Sequence, residues 1–317
     1  MPADRARARW APIVPDPPAR ETPTPARPAP SALPHATAGA VARRALESSL
    51  AILLEREAEL NTGDDPEHVH QARVATRRLR SDLRTFRALF DEAWAADLRT
   101  ELRWLGGVLG RVRDADVLLG RLSARVEELP AMDRVGAETL LDRIRERRER
   151  SGAELATALD SNRYAELRGR LLAAAQAPVL TPLGAEPAVL VLPALVRRPW
   201  KRLRRRVRKL GADPSDAALH EVRIAAKRCR YAAAAVEPAV GDPAAQFAKA
   251  LARVQNRLGE HQDAVVAEAW LRGAALDAAS HTAFVAGELA AVEHRSALDA
   301  RSRWRSAWEA ARRAQLP

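Results

Sequence analysis

The stretch HQARVATRRLR, residues 70–80, returns 150 positions later as HEVRIAAKRCR, residues 220–230. His70 and His220, Arg73 and Arg223, Val74 and Ile224, Arg77 and Lys227, Arg78 and Arg228, and Arg80 and Arg230 stand at matching offsets. His70, Arg73, Arg77, Arg80, Arg84 and Arg87 are spaced by three and four residues, which on an α-helix makes one row about 25 Å long. One residue earlier at each step, Val69, Ala72, Thr76, Leu79, Leu83, Phe86 and Phe90 form a second, mostly apolar row, about 100° around the axis. The spacing therefore predicts a helix that packs through one face and carries a line of guanidinium groups beside it. The second copy repeats this with Leu219, Val222, Ala226, Cys229, Ala233 and Val236 as the packed row. Its basic row, His220, Arg223, Lys227 and Arg230, is shorter because Ala234 and Glu237 take the next positions.

Like charges at this spacing repel by a few tenths of a kcal/mol per pair. A duplicated row with its register kept thus points to an anion lying along it. The alternative is a solvated face in an Arg-rich chain. The composition agrees with an anionic partner: the 317 residues carry a net charge of +11, and their pI is near 10.9. Apart from Lys201, Lys209, Lys227 and Lys249, every basic residue is Arg, whose planar fork grips phosphate oxygens in pairs.

Outward from the repeat, the chain divides at its prolines and glycines. Residues 1–37 form a Pro-, Ala- and Arg-rich arm that no helix or central strand absorbs, so disorder is expected there. The arm has no apolar core of leader-peptide length. Helical periodicity predicts an all-α fold with helices at 38–60, 66–90, 92–110, 113–128, 131–159 and 161–175. A linker at 177–187 follows, then helices at 188–210, 215–236, 243–259, 262–278 and 280–314. Gly106, Gly107 and Gly110 supply one of the expected breaks, and Asp–Pro pairs at 65–66, 213–214 and 242–243 mark helix starts. The apolar stretch 187–196 is too short to cross a membrane. The single thiol, Cys229, falls on a packed row and reads as a core residue, which suits a reducing cytoplasm.

A second repeated element follows each basic helix. LGRVRDA at 109–115 aligns with LGEHQDA at 258–264, and both read as corners in which Asp114 and Asp263 cap the next helix. Acceptance from a basic side chain opposite is the alternative.

In these residues the chain resembles the CHAD family, the conserved-histidine α-helical domain. The H-x-x-R-V/I-x-x-R/K-R-x-R helix and the L-G-x-x-x-D-A element, each present twice, carry the resemblance across about 38–314. It implies two pseudo-symmetric four-helix-type bundles, 38–176 and 188–314 joined by 177–187, with a basic groove or pore between them that binds inorganic polyphosphate. The residues carried over are His70, Arg73, Arg77, Arg78 and Arg80, with Arg84 continuing the row, and His220, Arg223, Lys227, Arg228 and Arg230. Glu260 and His261, where the first half has Arg111 and Val112, make the second element less basic.

Further basic clusters are candidates for the same ligand. RRPWKRLRRRVRK, 197–209, has nine basic residues and no acid, with Lys201, Arg202, Arg205 and Lys209 as candidates on one face. Lys249, Arg253 and Arg257 form a short stripe at i, i+4 and i+8. A His within a row of Arg is pushed toward neutrality and drawn to protonation when phosphate arrives. His68 and His70 point to different faces, and no Cys or acidic cluster completes a metal site.

No catalytic residue and no cofactor is expected. The E-x-E-x-K element of triphosphate-tunnel hydrolases is absent, since Glu55, Glu57 and Glu59 alternate without the following base, and no P-loop glycine pattern occurs. A hydrolase, or an accessory subunit of one, is one alternative. A binder of RNA backbone is another, against which stands the scarcity of aromatics (4%) for base stacking. The expected partners are polyphosphate itself and polyphosphate-metabolising enzymes, at a granule or free in the cytoplasm.

Overall fold

The computed structural model describes residues 36–60 and 65–316. Among them are nine α-helices and no strand: α1 (Ala38–Leu60), α2 (Pro66–Thr85), α3 (Glu92–Val126), α4 (Ala131–Leu159), α5 (Asn162–Gln176), α6 (Ala188–Arg208), α7 (Asp216–Val240), α8 (Asp242–Leu276) and α9 (Ser280–Arg313). The Pro-rich arm lies, apart from Ala36 and Thr37, outside the described residues.

Both packed rows read from the repeat are buried in full, from Val69 to Phe90 on the first and from Leu219 to Val236 on the second. The helices start where local chemistry satisfies their first amides. Asp65 accepts from the Glu67 amide at 2.8 Å with Pro66 following. Asp91 accepts from Trp94 at 2.8 Å. Ser215, rather than Asp213, caps α7 by accepting from Ala218. Gly241, at φ +73°, ends α7 and opens α8, a backbone turn that glycine adopts without strain.

Two expected breaks are absent. The segments read as 92–110 and 113–128 are the single 35-residue helix α3, and those read as 243–259 and 262–278 are the 35-residue helix α8. Each glycine in a helix costs about 0.5–1 kcal/mol relative to Ala. Against that, α3 buries Leu98, Leu102, Leu105, Leu109, Leu118 and Leu122 along one side, and each buried Leu returns about 1.5–3 kcal/mol. The helix therefore runs through. The expected 66–90 helix ends earlier, at Thr85, so Arg87 stands exposed in the turn beyond.

The 150-residue repeat is structural. Helices α3 and α8 begin and end 150 residues apart, and α1 and α6, α2 and α7, and α4 and α9 start within one residue of that offset. The Ala38 amide donates to Glu186 O at 2.8 Å, and the Ala188 amide to Ala36 O at 2.9 Å. Each of these bonds is the repeat image of the other, so a pseudo-twofold axis passes between the starts of α1 and α6. Helix α5 has no image among the described residues. It leads into the connection to α6, which is tied down where the Asp91 amide donates to Val179 O and the Thr181 amide to Leu89 O, each at 2.9 Å.

The two pseudo-symmetric bundles share their cores. One core joins α1, α2, α5, α6 and α7 to the first halves of α3 and α8, with Trp304 and Trp308 of α9. The other joins the far ends of the α3–α4 and α8–α9 hairpins through Leu122, Leu140, Ile144, Leu271, Val285 and Leu289. No helix among the described residues is long and apolar enough to cross a membrane.

Candidate anion-binding site

The two basic helices face each other. The Arg77 Nε of α2 donates to the Tyr231 hydroxyl of α7 at 2.6 Å, and the guanidinium of Arg230 lies 4.5 Å from the same ring's centre. One aromatic ring thus carries an arginine from each row, its hydroxyl holding Arg77 and its face holding Arg230.

Beyond this crossing lies the densest positive charge. Around Arg84 of α2 stand Arg228 of α7, Arg99 and Arg103 of α3, and Arg80 of its own helix, and burial together with these four charges lowers its pKa to about 10. Arg228 is in turn lowered by burial and by Arg202 and Arg206 of α6. Seven arginines from four helices therefore converge, and the acid beside them, Glu221, is paired to Arg206. Among the described residues, Arg84, Arg99, Arg103, Arg202 and Arg228 have no ion pair. A guanidinium whose pKa falls is one whose charge is unfavourable where it sits. An anion with several oxygens relieves all of them at once.

Arg99 and Arg103 were not among the residues singled out from the sequence. A signal for them existed. They are the repeat images of Lys249 and Arg253, so the 150-residue offset points straight back to them.

Nearer the helix starts, the rows dip into the protein. His70, Arg73, Arg223 and Lys227 are all buried. Arg73 Nη2 lies 3.5 Å from Asp114 Oδ1 and rests over Gly110, where an added Cβ would come 3.8 Å from its Cζ. Gly106 similarly faces Arg80. Both arginines of α2 thus lie close along α3. Asp114 and Asp263 sit inside α3 and α8 and cap nothing, so the capping expectation is corrected. Asp114 instead meets a basic side chain opposite.

Asp263 keeps a little accessible surface, but its carboxyl is enclosed on nearly every side, and burial raises its pKa to about 8 against the pull of Arg121 and Arg223. Glu293 and Asp114 push it in the same direction as burial. Its folded pKa lies above the unfolded value of 3.8. The folded protein therefore holds a proton that the unfolded chain has lost between about pH 4 and pH 8, and stability falls as pH rises through that window. Asp263→Asn removes the titration. It is expected to raise Tm by about 4 °C at pH 8 and to change it little at pH 5. Melting curves of both proteins across that range check this, and parallel curves would refute it.

Three histidines link neighbouring elements. His220 Nδ1 donates to Gln262 Oε1 at 2.7 Å, tying α7 to α8. His261, buried and thereby lowered in pKa, lies 3.0 Å from Asp216 Oδ1. His68 Nε2 lies 3.5 Å from Glu59. No group of three or more His, Cys, Asp or Glu able to hold a metal ion occurs among the described residues.

The remaining candidates are more dispersed. Arg78, part-buried on α2, is the repeat image of Arg228. On α6, Arg202 joins the cluster; it is exposed, as are Lys201 and Arg205 on the same helix and Lys209 at its C-cap. Lys249, Arg253 and Arg257 lie on α8, with Arg257 exposed and paired with Glu260 at 3.2 Å.

A comparison with protein families matches the CHAD domain over residues 44–272, a span that contains both histidine helices and all of the converging arginines. The chain belongs to the CHAD domain family. The CHAD match ends inside α8, short of α9, but solved structures extend the likeness. PptA from Streptomyces chartreusis aligns at a TM-score of 0.70 with 26% identity, covering 86% of this chain and 100% of that one. The CHAD domain from the plant Ricinus communis aligns at 0.70 with 29% identity, over 88% of this chain and 94% of that one. Two uncharacterized proteins of Mycobacterium tuberculosis are each 37% identical over 208 residues. The aligned part is 62% of this chain but only 38% of theirs, so this CHAD chain spans well under half the length of those relatives.

Proposed function

We propose that the protein binds inorganic polyphosphate, without turning it over, in the space between the two basic helices. The observation that carries this reading is the Arg84 cluster: seven arginines from both repeats held together, five of which, Arg84, Arg99, Arg103, Arg202 and Arg228, have no ion pair among the described residues. Such a set demands an anion that presents many oxygens in a row and needs no recognition of bases. Each phosphate bound releases condensed counterions, so affinity falls steeply with salt. For nucleic acids the slope is about 0.7–0.9 per neutralised phosphate, and a similar value is expected here. The low aromatic content of the chain, 4%, favours a bare phosphate chain over RNA.

The non-catalytic reading is supported by polar groups of the basic helices and of α1 whose partners are other side chains of the protein. His220 binds Gln262 and Asp114 meets Arg73. Glu57 and Glu59, from the alternating acids of α1, pair with Arg168 and Arg56. Organisation of polyphosphate at granules, beside the enzymes that make or degrade it, fits this activity.

Titration with polyphosphate, RNA and duplex DNA at physiological salt tests the proposal. Polyphosphate is expected to bind most tightly. It is also expected to raise Tm, since a ligand at a hundred times its Kd adds about 2.7 kcal/mol. RNA binding as tight as polyphosphate binding would move the assignment to nucleic acid. Steady orthophosphate release in the presence of Mg²⁺, abolished in His70→Ala, would make the protein an enzyme.

A further inference from the structure

The pseudo-twofold axis relates the two repeats in backbone but not in charge. Helix α6 carries nine basic residues and no acid from Arg197 to Lys209, while the image of that stretch on α1, residues 47–59, carries Glu47, Glu55, Glu57 and Glu59 with the single base Arg56. Arg84 likewise has Ala234 as its image. The flanks of the two basic helices therefore differ: α7 packs against α6 with its arginines, and α2 against α1 with its acids.

The charge on α6 is continuous from the cluster to the outside. Leu203 is fully buried, and at about 100° per residue Arg202 lies on the flank toward Arg228. Lys201 and Arg205, two residues either side of Leu203, fall about 160° from it, facing outward. Arg204 and Arg208 continue onto the far flank. All five are exposed, and none has an ion pair among the described residues. A cationic band of this kind attracts any anionic chain leaving the cluster, while α1, whose acids are paired with Arg43, Arg56 and Arg168, offers no such band.

We propose that a long polyphosphate leaves the site over α6, so that the outward face of this helix is a second, chain-length-dependent part of the binding surface and the bound polymer has a preferred side of exit. This rests on the polyphosphate reading above. A chain short enough to be satisfied between the basic helices does not reach Arg204 and Arg208. A longer one does, and gains from them as a tethered second foothold rather than as a separate binding event.

The test is Arg204→Glu with Arg208→Glu, two exposed positions outside the arginine cluster, measured against the unaltered protein. The ligands are polyphosphate of about ten units, comparable to the roughly 6–10 phosphates that a typical nucleic-acid-binding protein engages, polyphosphate of about a hundred units, and RNA. Long-chain affinity is expected to fall at least tenfold and the long-chain salt slope to shrink by about 1–2, with short-chain affinity unchanged within about twofold. Equal losses at both lengths, no loss at either, or a loss confined to RNA would overturn the α6 path while leaving the central site standing. Failure of the unaltered protein to bind either polyphosphate would instead remove the central reading, and the path with it.

Discussion

Glu293→Ala is expected to destabilise the fold by about 3 kcal/mol, the lower end of the range for breaking one side of a buried ion pair. Glu293 on α9 is completely buried and receives Arg121 Nε at 2.6 Å and Arg125 Nε at 3.1 Å, both from α3. It thus holds the long hairpin of one repeat to that of the other, at the second core. Removing its carboxylate leaves two guanidinium groups facing a hole. Both are partly exposed, at 21% and 28% of the side chain, so water reaches them and the upper end of the range does not apply. Removing the negative charge also lowers the pKa of Asp263, which Glu293 raises. The variant should therefore show a weaker fall in stability between pH 5 and pH 8. Urea melts at those two pH values check both statements, and a destabilisation below about 1 kcal/mol would mean the arginines relax freely into solvent.

The second large effect is on binding. Arg84→Gln with Arg228→Gln is expected to weaken polyphosphate binding about a hundredfold, at about 1.5 kcal/mol for each charge-assisted hydrogen bond to phosphate that the variant no longer makes. The same pair should make the unliganded protein more stable, because both cations are held at positions that lower their pKa. Gln keeps much of the stem that packs against neighbouring helices. A higher Tm without ligand and a lower affinity with it would be the signature of charge placed for a partner rather than for the fold. A lower Tm would mean that these arginines serve the packing.

Much of this was legible in the sequence because the two basic helices carry their own frame of reference. Burial of the rows from Val69 and from Leu219 follows from 3.6-residue periodicity alone, and each copy checks the other. The lengths of α3 and α8 were not legible. Gly106, Gly107 and Gly110 carry the local signature of a helix end, and the leucines that α3 buries on either side of them outweigh it. Asp114 and Asp263 were misplaced for the same reason. With a break assumed before them they read as caps, and without it they are enclosed acids facing Arg73 and Arg223. Arg99 and Arg103 were legible only through the 150-residue offset from Lys249 and Arg253, since a pair of bases on an ordinary surface stretch carries no signal of its own.

The reciprocal amide bonds between Ala38 and Glu186 and between Ala188 and Ala36 have one more consequence. Two identical subunits meeting about that axis would offer a polymer the same welcome from either direction, because symmetry forbids any distinction between the ends. Joining the halves into one polypeptide lifts that prohibition. Each half is free to take its own side chains while the backbone stays matched, and what would be a symmetric clasp becomes a vectorial one.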